Sequence, residues 1–156
     1  MIGIDPSRQM MRHAQERLGI ETRPGTAESL PLPDGEFDFL SMGYALRHVS
    51  DLNTAFAEFK RVLKPGSGRL CILEITRPRT RLGRLFLRIY LGTLSRLVGL
   101  SRRLAPRTPE LWAYYWQTID QCVPPEQVLQ ALRDAGFADT KRTVIGAIFS
   151  EYTARS

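Results

Sequence analysis

An α/β fold, a largely parallel sheet flanked by helices, is the architecture this sequence predicts. Three observations carry it. Apolar runs of strand length alternate with helical periodicities through the first half of the chain, as βα units require. The strand-like runs end on polar or reactive side chains, which is where open α/β sheets place their sites. From residue 124 onward the chain reads as a helix and two alternating strands, so the order is β-α-β-β-α-β, a helical region, then α-β-β. With 156 residues, 43% hydrophobic and 24% charged, one domain with its own core is expected.

Each element has a local reason. Residues 1–5 form the end of a buried strand that stops at Asp5. Ser7 caps a helix whose apolar face is Met10, Met11, Ala14 and Leu18, and Gly19 ends it. Residues 20–24 are a short extended piece, followed by a breaker-rich loop to Gly35 and a strand from Phe37. Asp51 caps a second helix with a core stripe of Ala55, Phe56, Phe59, Val62 and Leu63, and Lys64, Pro65 and Gly66 stop it. Residues 69–76 are the most strand-like run. Residues 77–109 read as helices rich in Leu and Arg, and residues 112–122 as an aromatic helix. Pro124 and Pro125 open a helix with Val128, Leu129, Leu132 and Ala135 inward and Gly136 at its end. Residues 140–147 and 148–154 are two closing strands meeting near Gly146.

The net charge of +6 is not spread evenly. Arg77, Arg79, Arg81, Arg84, Arg88, Arg96, Arg102, Arg103 and Arg107 stand in a stretch without one acidic residue, leaving +6 − 9 = −3 for the rest. Three readings follow: a solvated helical face, an amphipathic lid on anionic lipid whose apolar residues receive a lipophilic tail, or a nucleic-acid surface. The last is disfavoured, because only Phe86 and Tyr90 could stack on bases. No apolar run is long enough to span a bilayer, no signal peptide is evident, and Cys71 and Cys122 read as buried thiols in a reducing compartment. The expected address is cytoplasmic.

The stretch 37–49 concentrates the chemistry. It starts as an apolar strand, turns through Gly43, and releases Tyr44, Arg47 and His48. Met42 to His48 is the expected mouth of a site. For Arg47 the alternatives are a site role or a structural ion pair with Asp51 or Glu58. For Glu74 they are a site role or a buried structural carboxylate.

Four blocks carry a resemblance: Gly3-Ile4-Asp5-Pro6-Ser7; Gly25-Thr26-Ala27-Glu28 through Leu30-Pro31 and Pro33-Asp34-Gly35 to Phe37-Asp38; Leu46-Arg47-His48-Val49; and Arg61-Val62-Leu63-Lys64-Pro65-Gly66 leading to Leu73-Glu74-Ile75-Thr76. In this order they resemble the class I S-adenosylmethionine-dependent methyltransferases, most nearly the ubiquinone/menaquinone biosynthesis C-methyltransferases. The resemblance implies a Rossmann-like sheet, mostly parallel with an antiparallel strand near the C-terminus, and a helical substrate or lid insertion over about 77–122. It implies S-adenosylmethionine as cofactor. Asp5 matches the ribose-binding acid, with helix capping beside Ser7 as its alternative. Thr26 and Ala27 match the positions flanking adenine, and Met42 and Gly43 line the cofactor. His48 stands where the family has Asn, Thr26 where it usually has Asp or Asn, and Ser67 is extra. The family's first strand and Gly-rich loop are not found ahead of Asp5, so an N-terminally incomplete domain is expected, with a cofactor-free paralogue as the alternative.

The implied reaction is methyl transfer to a small lipophilic, quinol-like ring, with His48 as base and Arg47 holding the phenolate. A non-catalytic methyltransferase-like subunit or fragment, acting through protein or membrane contacts, is the alternative. The implied partners are an isoprenoid quinol, a membrane surface met through residues 77–107 at the inner membrane face, and room for a homodimer.

Overall fold

A computed structural model describes residues 1–75, 82, 83, 85, 89, 93, 122–145 and 149–156. In chain order these give β1 (Ile2–Asp5), α1 (Arg8–Leu18), β2 (Glu21–Pro24), β3 (Phe39–Gly43), a 3-10 turn (Leu46–His48), α2 (Leu52–Val62), β4 (Arg69–Ile75), α3 (Pro125–Asp134), β5 (Ala138–Ile145) and β6 (Phe149–Arg155). Outside the helical region, the expected order of elements is present. The Leu- and Arg-rich helices over 77–109, five residues excepted, the aromatic helix over 112–122, Cys122 excepted, and the strand boundary at Gly146 lie outside the described residues.

β1 and β2 pair in parallel, as do β3 and β4, while β6 runs antiparallel between β4 and β5. The described strands form two sheets, β1-β2 and β3-β4-β6-β5.

The caps read from the sequence are in place. Ser7 Oγ accepts from Met10 N at 3.4 Å, Gly19 closes α1 in the left-handed region at φ 63°, and Asp51 accepts from Asn53 N and Thr54 N. A short polar side chain at each N-cap satisfies N–H groups that have no partner inside the helix. The stripe Ala55, Phe56, Phe59, Val62 and Leu63 is wholly buried. All of it but Val62 packs with Leu70, Ile72 and Tyr152 of the sheet and Val128 and Leu132 of α3.

One expectation needs correction: β1, expected to be buried, is half-buried throughout. The apolar face of α1 likewise buries nothing completely, and Met10 and Leu18 are exposed. Periodicity identifies an amphipathic helix, but what covers it is a tertiary matter. The segment after β3 is a 3-10 turn, and its Leu46 anchors in the core.

The loop from β2 to β3 is held by side chains. Arg61 on α2 donates from Nη1 to the Leu32 carbonyl at 2.8 Å and from Nη2 to the Leu30 carbonyl at 3.0 Å. It also pairs with Glu58 and Asp34. Glu58 Oε2 in turn accepts from Leu30 N at 2.8 Å. One guanidinium fork thereby satisfies several acceptors at once, the task that arginine geometry suits. Gly25 is needed for close approach, since a Cβ there would sit 2.7 Å from Pro31 Cδ and 2.9 Å from Ile4 Cγ2.

The hydrogen bond from Arg61 holds the Glu58 carboxyl below its ordinary value of 4.5, against the upward push of burial and with help from Leu30 N–H. A carboxyl lowered by folding contributes stability that is complete above its unfolded pKa and lost as pH falls through the folded one. Urea midpoints should therefore drop as pH falls below about 4.5, more steeply in the wild type than in Glu58→Gln. That variant should lose roughly 1 kcal/mol at neutral pH.

Candidate functional site

The predicted cofactor residues sit at strand ends. Asp5 closes β1 directly opposite Pro24, the last residue of β2. Its carboxylate is half-buried and accepts from Ser7 N at 2.7 Å, so it helps start α1. A carboxylate offers several lone pairs, and one backbone bond leaves acceptors for another donor pair. Capping and ligand binding are therefore compatible roles for it.

Thr26 and Ala27 follow β2 in a tight turn closed by Ser29 N donating to the Thr26 carbonyl at 3.2 Å. Ala27 packs against the core. Next to it Glu28, which the sequence did not single out, accepts from Ser50 N at 2.7 Å and ties this turn to the start of α2. Burial pushes its carboxyl up, but N–H groups of Ser50, Glu28 and Asp51 and the Thr26 hydroxyl outweigh that and leave it lowered.

At the end of β3, Met42 turns into the core while a Cβ added at Gly43 would meet nothing within 4 Å. That leaves open space at a strand's C-terminal end. Tyr44 follows with φ 57°, a left-handed conformation unusual for an aromatic residue. Its N–H donates to the Leu73 carbonyl at 2.7 Å, and its ring meets Phe149 edge-on at 6.3 Å. This turn re-aims the chain into the 3-10 segment.

Arg47 Nη1 then donates to Glu74 Oε1 at 2.8 Å, and its backbone N–H to Oε2 at 3.2 Å. The side chains are 9% and 0% exposed. Ile75 N adds a third bond to this carboxylate at 2.9 Å. The partner of Arg47 is thus neither Asp51, which caps α2, nor Glu58, which holds Arg61. A buried charge needs such pairing, because removing an ion from water costs several kcal/mol. His48 lies beside Arg47 in sequence but is exposed.

Two other groups share this end of the sheet. Glu74 and Ile72 stand opposite Ser150 and Tyr152 on β6. Burial pushes the Tyr152 phenol up to about 12. Burial, followed by the nearby Glu74 charge, pushes the Cys122 thiol up to about 11. Neither is ionised at neutral pH, so neither is a ready nucleophile or base. Cys71 and Cys122 are unbridged and half-buried rather than fully buried.

The structure thus brings Arg47 onto Glu74, and Asp5 onto the end of β2. Asp5 ends β1 of the first sheet, whereas Glu74 stands on β4 of the second.

Known proteins show the same arrangement of elements. Residues 1–72 match the methyltransferase domain family. A demethylmenaquinone methyltransferase of Roseiflexus castenholzii is 32% identical over 148 residues, covering 93% of this chain and 60% of that protein. A 2-phytyl-1,4-naphtoquinone methyltransferase of Synechococcus elongatus is 40% identical over 98 residues, 58% of this chain and 42% of that one. An S-adenosylmethionine-dependent methyltransferase of Thermotoga maritima superposes with a TM-score of 0.69 at 23% identity, over 99% of this chain and 72% of that structure. The chain spans about three fifths of the length of the demethylmenaquinone methyltransferases it matches.

The Arg47–Glu74 pair supplies its own test. Glu74→Ala should destabilise the fold by about 3–5 kcal/mol, because it leaves a guanidinium in a dry site. Arg47→Met combined with Glu74→Leu should cost less than the sum of the single changes. A double-mutant cycle by chemical denaturation reads the coupling, and strictly additive losses would show that the pair is not coupled.

Proposed function

From its similarity to the methyltransferase domain family over residues 1–72 and to the demethylmenaquinone methyltransferases, we propose that this chain is a class I S-adenosylmethionine-dependent methyltransferase and transfers a methyl group to the ring of a lipophilic quinol. S-adenosylmethionine, when bound, supplies an electrophilic methyl carried on a sulfonium. Asp5 would accept hydrogen bonds from the ribose hydroxyls, Thr26 and Ala27 would flank the adenine, and Met42 and Gly43 would line the cofactor's other side. The observation that carries this reading is the position of these residues at the C-terminal ends of β1, β2 and β3, with open space at Gly43. Ligands of open α/β sheets bind at such ends.

Methylation of a ring carbon requires the ring to become electron-rich, which loss of the phenolic proton achieves. In this reading Arg47 donates to the phenolate oxygen and exposed His48 takes the phenolic proton, and the ring carbon that gains the methyl loses its own hydrogen to solvent as a proton, which restores the aromatic ring. Glu74 neutralises much of the charge on Arg47, so Arg47 acts through directed N–H donation more than through net charge. Glu74 is a positioning residue: it fixes the guanidinium without touching the ring. Residues 77–122 would form the lid over an isoprenoid tail, and a substrate with such a tail would place the chain at the inner membrane face as a peripheral protein.

Calorimetric titration with S-adenosylhomocysteine tests the first half of the proposal. Saturable binding is expected, weakened by about tenfold or more in Asp5→Ala, since two charge-assisted hydrogen bonds are removed. A folded sample without binding would instead support a non-catalytic relative. With a short-tailed naphthoquinol as acceptor, Arg47→Lys and His48→Ala should each lower kcat by about a hundredfold with little change in cofactor affinity. Unchanged rates would remove both residues from the chemistry.

A further inference from the structure

We propose that Tyr44 and Phe149 form a platform for the planar ring of the methyl acceptor, with Tyr44 selecting aromatic acceptors by stacking. Along β3 the side chains alternate as a strand requires: Leu40 and Met42 pack against the core, while Phe39, Ser41 and Gly43 are exposed. Continued alternation would send residue 44 inward, as it does Met42. The left-handed backbone at Tyr44, φ 57°, breaks the alternation and leaves the ring 46% exposed. That conformation suits glycine or asparagine and is costly for an aromatic residue. Strain of this kind persists where the side chain it aims has a task outside the core.

The ring forms one wall of a shallow apolar patch. Phe149 meets it edge-on at 6.3 Å, and the Tyr44 N–H is tied to the Leu73 carbonyl at 2.7 Å. Gly43 stands opposite Leu73, and Phe149 opposite both Ile75 and Ile145, so these residues share one face at the end of β4. Leu73 and Ile145 remain 37% and 49% exposed, and a Cβ at Gly43 would meet no atom within 4 Å. An aromatic pair bordered by aliphatic side chains, beside bare backbone, suits a flat ring. Glu151 lies opposite Leu73 on the same face and offers only acceptors, so the rim favours hydroxyl donors over a phosphate or carboxylate. A ring bearing hydroxyl groups meets both conditions. Its identity as the acceptor rests on the methyl-transfer reading, in which Arg47, three residues after Tyr44 and bonded to Glu74, holds the ring oxygen.

Binding of 1-naphthol to the full chain, measured by calorimetry beside S-adenosylhomocysteine, tests the platform without turnover. Decahydro-1-naphthol has a similar outline but no π face, and should bind about tenfold more weakly. Tyr44→Gly removes the ring at a φ that glycine adopts freely, so its circular dichroism should match the wild type. Its naphthol affinity should fall about tenfold, with S-adenosylhomocysteine affinity unchanged. Tyr44→Phe should bind like the wild type, and Phe149→Leu should fall between the two. Absent naphthol binding, equal affinity in wild type and Tyr44→Gly, or no preference over the saturated control would overturn the proposal. A parallel loss of both affinities in Tyr44→Gly would overturn it too, by assigning the ring to the cofactor. Naphthol binding that depends on Tyr44 in a chain that takes up no S-adenosylhomocysteine would uphold the platform and sink the methyl-transfer reading instead, so the two fail separately.

Discussion

A carboxylate without access to water governs the end of the sheet from which the candidate chemistry emerges. The Arg47 guanidinium and two backbone N–H groups, those of Arg47 and Ile75, converge on the Glu74 side chain. Their convergence fixes the 3-10 turn against the end of β4, and the turn fixes where His48 and Tyr44 leave the fold. One buried pair thus translates strand register into side-chain placement.

Most of the element pattern was legible in the residues. Ser7, Gly19, Asp51 and the breakers after Leu63 bound their helices as local capping chemistry dictates, and the α2 stripe is buried residue for residue. The partner of Arg47 was not legible. Glu74 lies far along the chain and reaches Arg47 because β3 and β4 pair with Gly43 opposite Leu73. Proximity in sequence pointed instead to Asp51 and Glu58. Both carboxylates were already engaged, one by the N–H groups of its own helix and the other by Arg61. Register is a long-range property, and a short polar spacing cannot report it.

Placement around the candidate site divides in the same way. That Asp5 ends a strand and that the chain turns at Gly43 were visible, because strand ends and glycines are local signals. That Glu28 reaches Ser50 across the β2–β3 loop was not. The loop that holds Thr26 and Ala27 is positioned from α2, by Arg61 and Glu58 at one end and by Ser50 at the other. The helix that anchors the core therefore also sets the place of a turn assigned to adenine.

None of residues 1–45 is fully buried, and the core begins at Leu46. The unit β1-α1-β2 consequently carries Asp5 on a part of the described chain with little packing behind it. Such regions open locally at a fraction of the global unfolding free energy, and their amides exchange with solvent sooner than those of α2 or β4. A ligand held there must order what it binds, so part of its interaction energy is spent on the protein rather than on affinity. Occupancy would then be visible first as slowed amide exchange along β1 and β2, remote from the core that holds the rest together.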